Sequence, residues 1–401
     1  MDFLFLASEK SHRSIMSEKL LQGNFGSGIL FCTDNEDTAV DSYALHQLKN
    51  LLDNEVSKNS RVRIMPDVHP GKVCTIGLTM TVTNRVIPEI VGIDIGCGLS
   101  IAKLKAIRPE FQKLDTVIRE RVPSGFEKRK EIHRRASECD LTLLRCWSKL
   151  RKNEDGSARA LLGLGTLGGG NHFIEVDRDD EKNAYLVIHS GSRHLGCEVS
   201  DFYLKEGHKI LRERGEDVPF EMTYLDGELM EDYIHDIRIV QDFASLNRSI
   251  MIDEICRGMK WKVEDEWTCC HNYIDFCPEL NNRILRKGAI SARKGERVII
   301  PINMRDGVIL GTGNGNEHWN YSAPHGSGRI QKREDVKKSH TVSEFKSQMK
   351  GIYSSCIGKS TLDEAPFAYR PISEILESIE ETVSVEKIIR PVYNFKAGGE
   401  E

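Results

Sequence analysis

No stretch of this sequence approaches the roughly 18 consecutive apolar residues of a membrane span, so no transmembrane helix is expected. No two cysteines stand in a CxxC spacing, which argues against a zinc ribbon and against a thioredoxin-type motif. There is no internal repeat and no low-complexity linker. Positive charge is not in excess: the formal net charge is -5, which argues against a wholesale nucleic-acid coat but leaves room for a local basic groove. The start, MDFLFLASEKSHR, has a short apolar patch with no basic leader before it, too brief for a secretory signal. The eleven cysteines are odd in number and scattered, as expected of small buried side chains in a reducing compartment. An intracellular, cytoplasmic protein is expected.

With 401 residues, 39% hydrophobic and 29% charged, the chain is long enough for a large core. Apolar periodicity predicts helices over Ala44–Leu52, Phe111–Arg121, Glu127–Leu144, Tyr233–Asn247, Asp253–Gly258 and Glu374–Glu381. It predicts strands at Gly77–Val82, Ile90–Ile93, Phe173–Val176, Ala184–Ile188 and Arg297–Pro301. Interleaved strands and helices give an α/β (α+β) class, expected as one large domain over 1–401 with central β-sheets surrounded by helices and a flexible tail at 397–401.

Polar, glycine-rich loops follow several strand signals, and such loops are where sites tend to sit. GTLGGGNHFIEV (Gly165–Val176) runs three glycines into Asn171 and His172. Alone it would be a tight turn leading into a strand. His189 opens HSGSR, His271 sits in CCHNYIDF, His325 in APHGSGR, and Asp94 and Cys97 share GIDIGCG. If these groups meet, they form a mixed oxygen, sulfur and nitrogen ligand set. Imidazole and thiolate suit zinc, iron, cobalt or nickel, a carboxylate pulls toward manganese or magnesium, and a thiolate can bridge two ions. Two close metals are the usual device of phosphoryl chemistry. His325 then has three possible parts: ligand, general base or nucleophile. Arg329 is placed to neutralise a phosphate. The basic run Arg329–His340 reads either as a solvated helix face or as a grip on nucleic acid.

In order along the chain stand PDVHPG (Pro66–Gly71), GIDIGCG (Gly92–Gly98), GTLGGGNHFIEV, HSGSRHLG (His189–Gly196), HNYIDF (His271–Phe276), RKGAISA (Arg286–Ala292), APHGSGR (Ala323–Arg329), EAPFAYR (Glu364–Arg370) and PVYNFKAGG (Pro391–Gly399). This ordered set resembles the RtcB family of RNA ligases. The resemblance implies joining of an RNA 3′-phosphate or 2′,3′-cyclic phosphate to a 5′-hydroxyl, through a guanylylated histidine and an RNA-3′-ppG intermediate. By match to the motif, His325 is that histidine. The implied ligands of two Mn²⁺ ions are Asp94, Cys97 as bridge, His172, His189 and His271. GTP is the implied cosubstrate, contacted by Asn171, Glu175, Gly326, Gly328, Tyr369 and Lys396, with Arg193, Lys287 and Arg329 serving phosphates. The glycines before Asn171 are then expected to clear side chains from where phosphate and metal approach. The implied partners are RNA with broken tRNA or rRNA ends, GTP and, as in some relatives, an archease-like activator; no membrane is implied.

The sequence departs from the family at DIGCG in place of DINCG, at Ser327 in HGSGR, at His194 in place of a glycine, and in the loop IPINMRDGVILG before the nucleophile. These mark a divergent branch. Two competing readings are a metal-dependent cyclic phosphodiesterase that does not seal, which would need the metals but not His325, and a non-catalytic RNA-binding relative, which would be expected to have lost a ligand.

Overall fold

The computed structural model describes residues 16–33, 40–108, 110–150 and 156–397. The apolar patch at the start and the last four residues of the expected tail lie outside them. Two sheets dominate. The first has six strands in the order Met16–Gln22, Ser27–Thr33, Val62–His69, Ile76–Val82, Asn282–Lys287, Asn272–Cys277. Among the described residues its only parallel pair is Ser27–Thr33 with Val62–His69. The second has seven strands in the order Val263–Cys270, Gly98–Leu104, Ala184–Ser190, Phe173–Arg178, Val383–Phe395, Gly307–Gly313, Arg297–Asn303. Every pair in it is antiparallel. The fold is therefore mixed α/β, with pairings that lean to α+β.

Ala184–Ser190 (AYLVIHS) is buried along its whole length. A strand covered on both faces reads as an unbroken apolar run rather than an alternating one. Across the sheets lies Gly227–Met259, a helix of 33 residues that would span about 50 Å. It merges the two helices expected at Tyr233–Asn247 and Asp253–Gly258, and it stops where Lys260 turns left-handed at φ 58°. Buried Asn247 and Arg248 on this helix reach the loops of the site. The Asn247 amide accepts from the N–H groups of Gly165 and Thr166, at 2.7 and 3.0 Å. Arg248 donates to the carbonyls of Gly96 and Ser190, at 2.9 and 2.8 Å. A buried guanidinium needs such partners, because its donors have given up water.

Two expected elements are corrected. Ile90–Ile93 is not a strand: Pro88–Val91 is one helical turn. Proline at the first helical position presets φ and needs no N–H partner there. Glu127–Leu144 is not a helix but two short 3₁₀ turns, Arg134–Glu138 and Leu141–Leu143. Its arginines are committed elsewhere. Arg129 donates to the carbonyls of Leu164, Arg121 and Gly165, and Arg135 pairs with Asp253 and Glu138. These tertiary bonds override the weak helical propensity of the segment.

Among the described residues no helix is long and apolar enough to cross a membrane.

Candidate metal and nucleotide site

The two sheets exchange strands at a single residue. Val263–Cys270 belongs to the seven-stranded sheet, Asn272–Cys277 to the six-stranded one, and His271 stands between them. Cys97 immediately precedes the strand Gly98–Leu104, and its carbonyl accepts the His271 N–H at 2.9 Å. His189, near the end of its strand, is in register with Leu99 on one side and Phe173 on the other. His172 precedes Phe173. Sheet registry thus brings four of the expected ligands to one point.

Their donor atoms form two overlapping groups: Cys97, His189 and His271, and Asp94, Cys97 and His172, with all atoms within 4.8 Å inside each group. Cys97 is the shared member. Its Sγ lies 3.3 Å from His189 Nε2 and 3.5 Å from His172 Nε2. His172 Nε2 is 3.4 Å from Asp94 Oδ2. On the far side of each ring, His172 Nδ1 faces the Leu167 carbonyl at 3.0 Å and His189 Nδ1 faces the Asn171 carbonyl at 3.3 Å. A carbonyl can only accept, so each Nδ1 carries the proton and each Nε2 turns a lone pair toward the sulfur. Lone pairs, a carboxylate and a thiol then crowd together, and the single thiol proton cannot satisfy them all. The buried Nδ1 of His271 has no hydrogen-bond partner either. This donor set fits a cation.

The electrostatics agree. Burial, and then the neighbouring Asp94 charge, push the Cys97 thiol well above its usual pKa, so a thiolate here needs a cation beside it. Burial, and then the neighbouring imidazoles, hold His189 and His271 far below the usual histidine range, leaving them neutral and able to coordinate.

His325 adjoins this cluster, its ring centroid 4.9 Å from that of His271. The side chain of Asp67, only 3% exposed, accepts from both the His325 backbone N–H at 3.2 Å and its Nδ1 at 2.8 Å. With Nδ1 so held, Nε2 is the available ring nitrogen. Asp67 was not singled out from the sequence. The signal was present in PDVHPG, but nothing local says that this strand lies beside the Ser322–Pro324 strand that precedes His325.

A cavity of about 880 Å³ opens on this edge. Of the expected residues, Asn171, Glu175, His189, His271, His325, Gly326, Gly328, Arg329, Tyr369 and Lys396 line it. Asp94, Cys97 and His172 are not among its lining residues. Burial pushes Glu175 up to about 7, opposed by the Asn394 amide that donates to it.

Arg193 and Lys287 are not among the lining residues. Lys287 Nζ donates to the Val91 carbonyl at 2.8 Å, close enough to feel the Asp94 and Cys97 charges. Arg193 donates to Thr166 Oγ1 and to the Gly125 carbonyl, both at 3.2 Å, and lies against Gly168. A Cβ on Gly168, whose φ is +86°, would come 1.9 Å from Arg193 Nη1. That glycine therefore makes room for an arginine, not for phosphate or metal.

A further residue emerges as a hub. Buried Glu364 accepts from Lys396 Nζ at 2.8 Å and from the Tyr369 hydroxyl at 2.7 Å, and it pairs with Arg333 and, at 3.5 Å, with Arg329. Burial would raise its pKa, yet Lys396, Arg333 and Arg329 together hold it down to about 2. Arg329 spends its remaining donors on the carbonyls of Gln331 and Asp363 and on the Tyr369 hydroxyl. So the two arginines that open the basic run are ion-paired, although Arg333 remains partly exposed. Arg329 and Arg333 are neutralised by Asp363 and Glu364 and form one wall of the cavity.

Comparison with known proteins agrees with this geometry. The family model described as tRNA-splicing ligase RtcB matches residues 47–397. Among similar curated proteins, the RNA-splicing ligase RtcB1 of Escherichia coli is 30% identical, over 82% of this chain and 88% of that protein. The RNA-splicing ligase RtcB2 of the same species is 26% identical, over 93% and 97%. The tRNA-splicing ligase RtcB of Aeropyrum pernix is 26% identical, over 82% and 86%.

Proposed function

The chain belongs to the RtcB family of tRNA-splicing ligases, and on that premise we propose that it joins an RNA 3′-phosphate or 2′,3′-cyclic phosphate to a 5′-hydroxyl, with GTP as cosubstrate and Mn²⁺ as its metal. One observation carries the reading. Two three-donor groups share the Cys97 thiol, and beside them stands a histidine whose Nδ1 is held by a carboxylate. The second feature leaves a ring nitrogen free to attack phosphorus; hydrolases use the same pair as a general base, so labelling by GTP separates the two readings.

Asp94, Cys97 and His172 would hold one ion, and Cys97, His189 and His271 the other. When bound, such ions supply Lewis acidity and neutralise charge on phosphoryl oxygens. The chain's own residues do the rest. Asp67 keeps the His325 proton on Nδ1, so that Nε2 attacks the α-phosphorus of GTP and the bond to pyrophosphate breaks. Asp67 then faces the positive ring of the phosphorylated histidine. An oxygen of the RNA 3′-phosphate, formed first by water opening the cyclic ester, attacks the same phosphorus and frees His325. The 5′-hydroxyl next attacks the 3′-phosphorus and GMP departs. Activation is needed because a phosphomonoester has no good leaving group.

Asn171, Glu175, Gly326, Gly328, Tyr369 and Lys396 form the nucleotide walls, and Glu364 fixes Tyr369, Lys396 and Arg329 against one another. Arg193 and Lys287 lend positive potential from behind the metal ligands. The RNA is a broken tRNA or rRNA in the cytoplasm, with an archease-like activator as a candidate partner.

The test is incubation with labelled GTP and Mn²⁺ followed by a denaturing gel. Wild type takes up label and His325→Ala does not. Wild type that stays unlabelled while opening a 2′,3′-cyclic phosphate would instead be a phosphodiesterase.

A further inference from the structure

Phe126 is the most exposed of the large apolar side chains among the described residues, at 84%. Exposure of one phenylalanine is unremarkable when its loop is loose or remote. This one is neither. Its turn is pinned at both ends: Gly125 N–H donates to the Gly168 carbonyl at 3.0 Å, Arg193 donates to the Gly125 carbonyl, and Arg129 clamps the residues that follow. The turn therefore rests on the Gly168–Gly170 loop that delivers Asn171 and His172 to the site. A second cavity, of about 280 Å³, begins at Ser124 and shares Lys396 with the larger one. Lys396 of the nucleotide walls thus also lines a cavity that reaches Ser124, two residues before Phe126.

The surroundings carry charge of the sign that phosphates need. Lys128, Lys130 and Arg134 are exposed in the same segment. Lys128 and Arg159 lie near enough to His194 and Glu198 to act on their ionisation. His194, the bulky departure in HSGSRHLG, thus stands beside the residue that anchors Gly125. Glu127, Glu131 and Glu198 offset only part of this charge, in a chain that is acidic as a whole.

We propose that Phe126 is a stacking platform for an unpaired RNA nucleotide next to the broken end, with the neighbouring lysines and arginines holding its phosphates. An aromatic face stacks on any base, and a cationic groove tracks the backbone, which together give binding without sequence preference. This suits an enzyme that must accept ends of differing sequence, and it rests on the ligase reading above.

The experiment measures binding of a short single-stranded RNA, carrying 2-aminopurine near its end, to the full chain. In parallel it measures labelling by GTP and Mn²⁺. Phe126→Ala and Phe126→Leu are expected to bind about 5- to 150-fold more weakly, the range set by loss of one base–aromatic stack. Phe126→Trp should bind as wild type does and quench the 2-aminopurine. Labelling should be unchanged in all three. Leucine keeps the apolar bulk, so a Leu variant that binds like wild type removes stacking from the account. Wild type that labels, with both Ala and Leu variants binding normally, overturns this inference alone. Wild type that neither labels nor binds RNA overturns the ligase reading, and this inference with it.

Discussion

Replacing Asp67 with Asn isolates what the carboxylate does for His325. In the native pair, Oδ2 accepts from Nδ1 at 2.8 Å and from the His325 backbone N–H at 3.2 Å, in a site where Asp67 is almost fully buried. If the Asn oxygen occupies that position, both contacts survive but lose their charge. A hydrogen bond to a charged group contributes about 1.5–3 kcal/mol and a neutral one about 0.5–1.5, so the difference is about 1 kcal/mol or more, a factor of roughly 5 to 10. The deficit grows as phosphorylation makes the ring positive. If instead the amide NH₂ faces Nδ1, the proton is driven to Nε2 and the attacking lone pair is lost. In hydrolase triads that exchange costs about 10⁴ in turnover. The first-order rate of labelling by GTP should therefore fall between about 5- and 10⁴-fold. The bound manganese should stay put, because Asp67 bonds to none of the proposed metal ligands. A variant labelling at the wild-type rate would refute the assignment of Asp67. A variant losing metal and rate together would show it to be structural.

Cys97→Ala should lower bound manganese, read by elemental analysis, to at most one ion per chain and abolish labelling; full metal content would remove the thiolate from the shared position. Gly168→Ala places a Cβ 1.9 Å from Arg193 Nη1 at φ +86° and should cost about 1–3 kcal/mol in urea unfolding. Gly169→Ala is the control, since its nearest new neighbour is 3.9 Å away, and it should change stability by less than about 0.5 kcal/mol. Glu364→Gln leaves Lys396, Arg329 and Arg333 without their shared anion and should cost about 3–5 kcal/mol. Its pH dependence has a defined sign. Because the folded pKa of Glu364 is depressed to about 2, its stabilisation is complete above the ordinary glutamate value and fades as pH falls from there toward 2. The urea midpoint of the Gln variant should accordingly converge on that of wild type as the pH is lowered through that window, and a constant gap would show that the cluster does not act through charge.

Much of this architecture is visible in the amino-acid order, but unevenly. Phe111–Arg121 and Ala184–Ile188 were legible because local periodicity and packing agree. Glu127–Leu144 misled because its spacing of charges imitates a helix, whereas Arg129 and Arg135 also bond to partners over thirty positions away, Leu164 and Ser249 among them. The metal-ligand candidates stood out because each ends an apolar run beside small residues. Asp67, Glu364 and Arg248 did not, since a buried ion declares itself only through distant partners. The two sheets were equally hidden: strand order depends on contacts such as Val62–His69 with Ser27–Thr33, which no local pattern encodes.

The position of the cluster follows from this topology rather than from any one motif. Cys97 and His172 each stand one residue before a strand of the seven-stranded sheet, while His189 lies in the strand between those two. Antiparallel registry fixes Leu99, His189 and Phe173 in a row, so a shift of one residue would turn His189 to the opposite face. His271 needs a different device, because its chain must leave this sheet for the other at that point. His325 arrives on a short strand paired with Ala289–Ser291, which lies just beyond the six-stranded sheet's Asn282–Lys287. Cys97, His172 and His189 therefore come from one sheet, the nucleophile with its Asp67 anchor from the side of the other, and His271 from the seam between them. Anything that loosens the seam should disturb His271 and His325 together before it unfolds the chain. A substitution at Asn272, which donates to the Asp94 carbonyl at 3.2 Å and accepts the Gly288 N–H at 3.0 Å across that seam, is the place to look. Asn272→Ala should lower bound manganese and the labelling rate together, and a variant that keeps both would show that the seam does not hold the site.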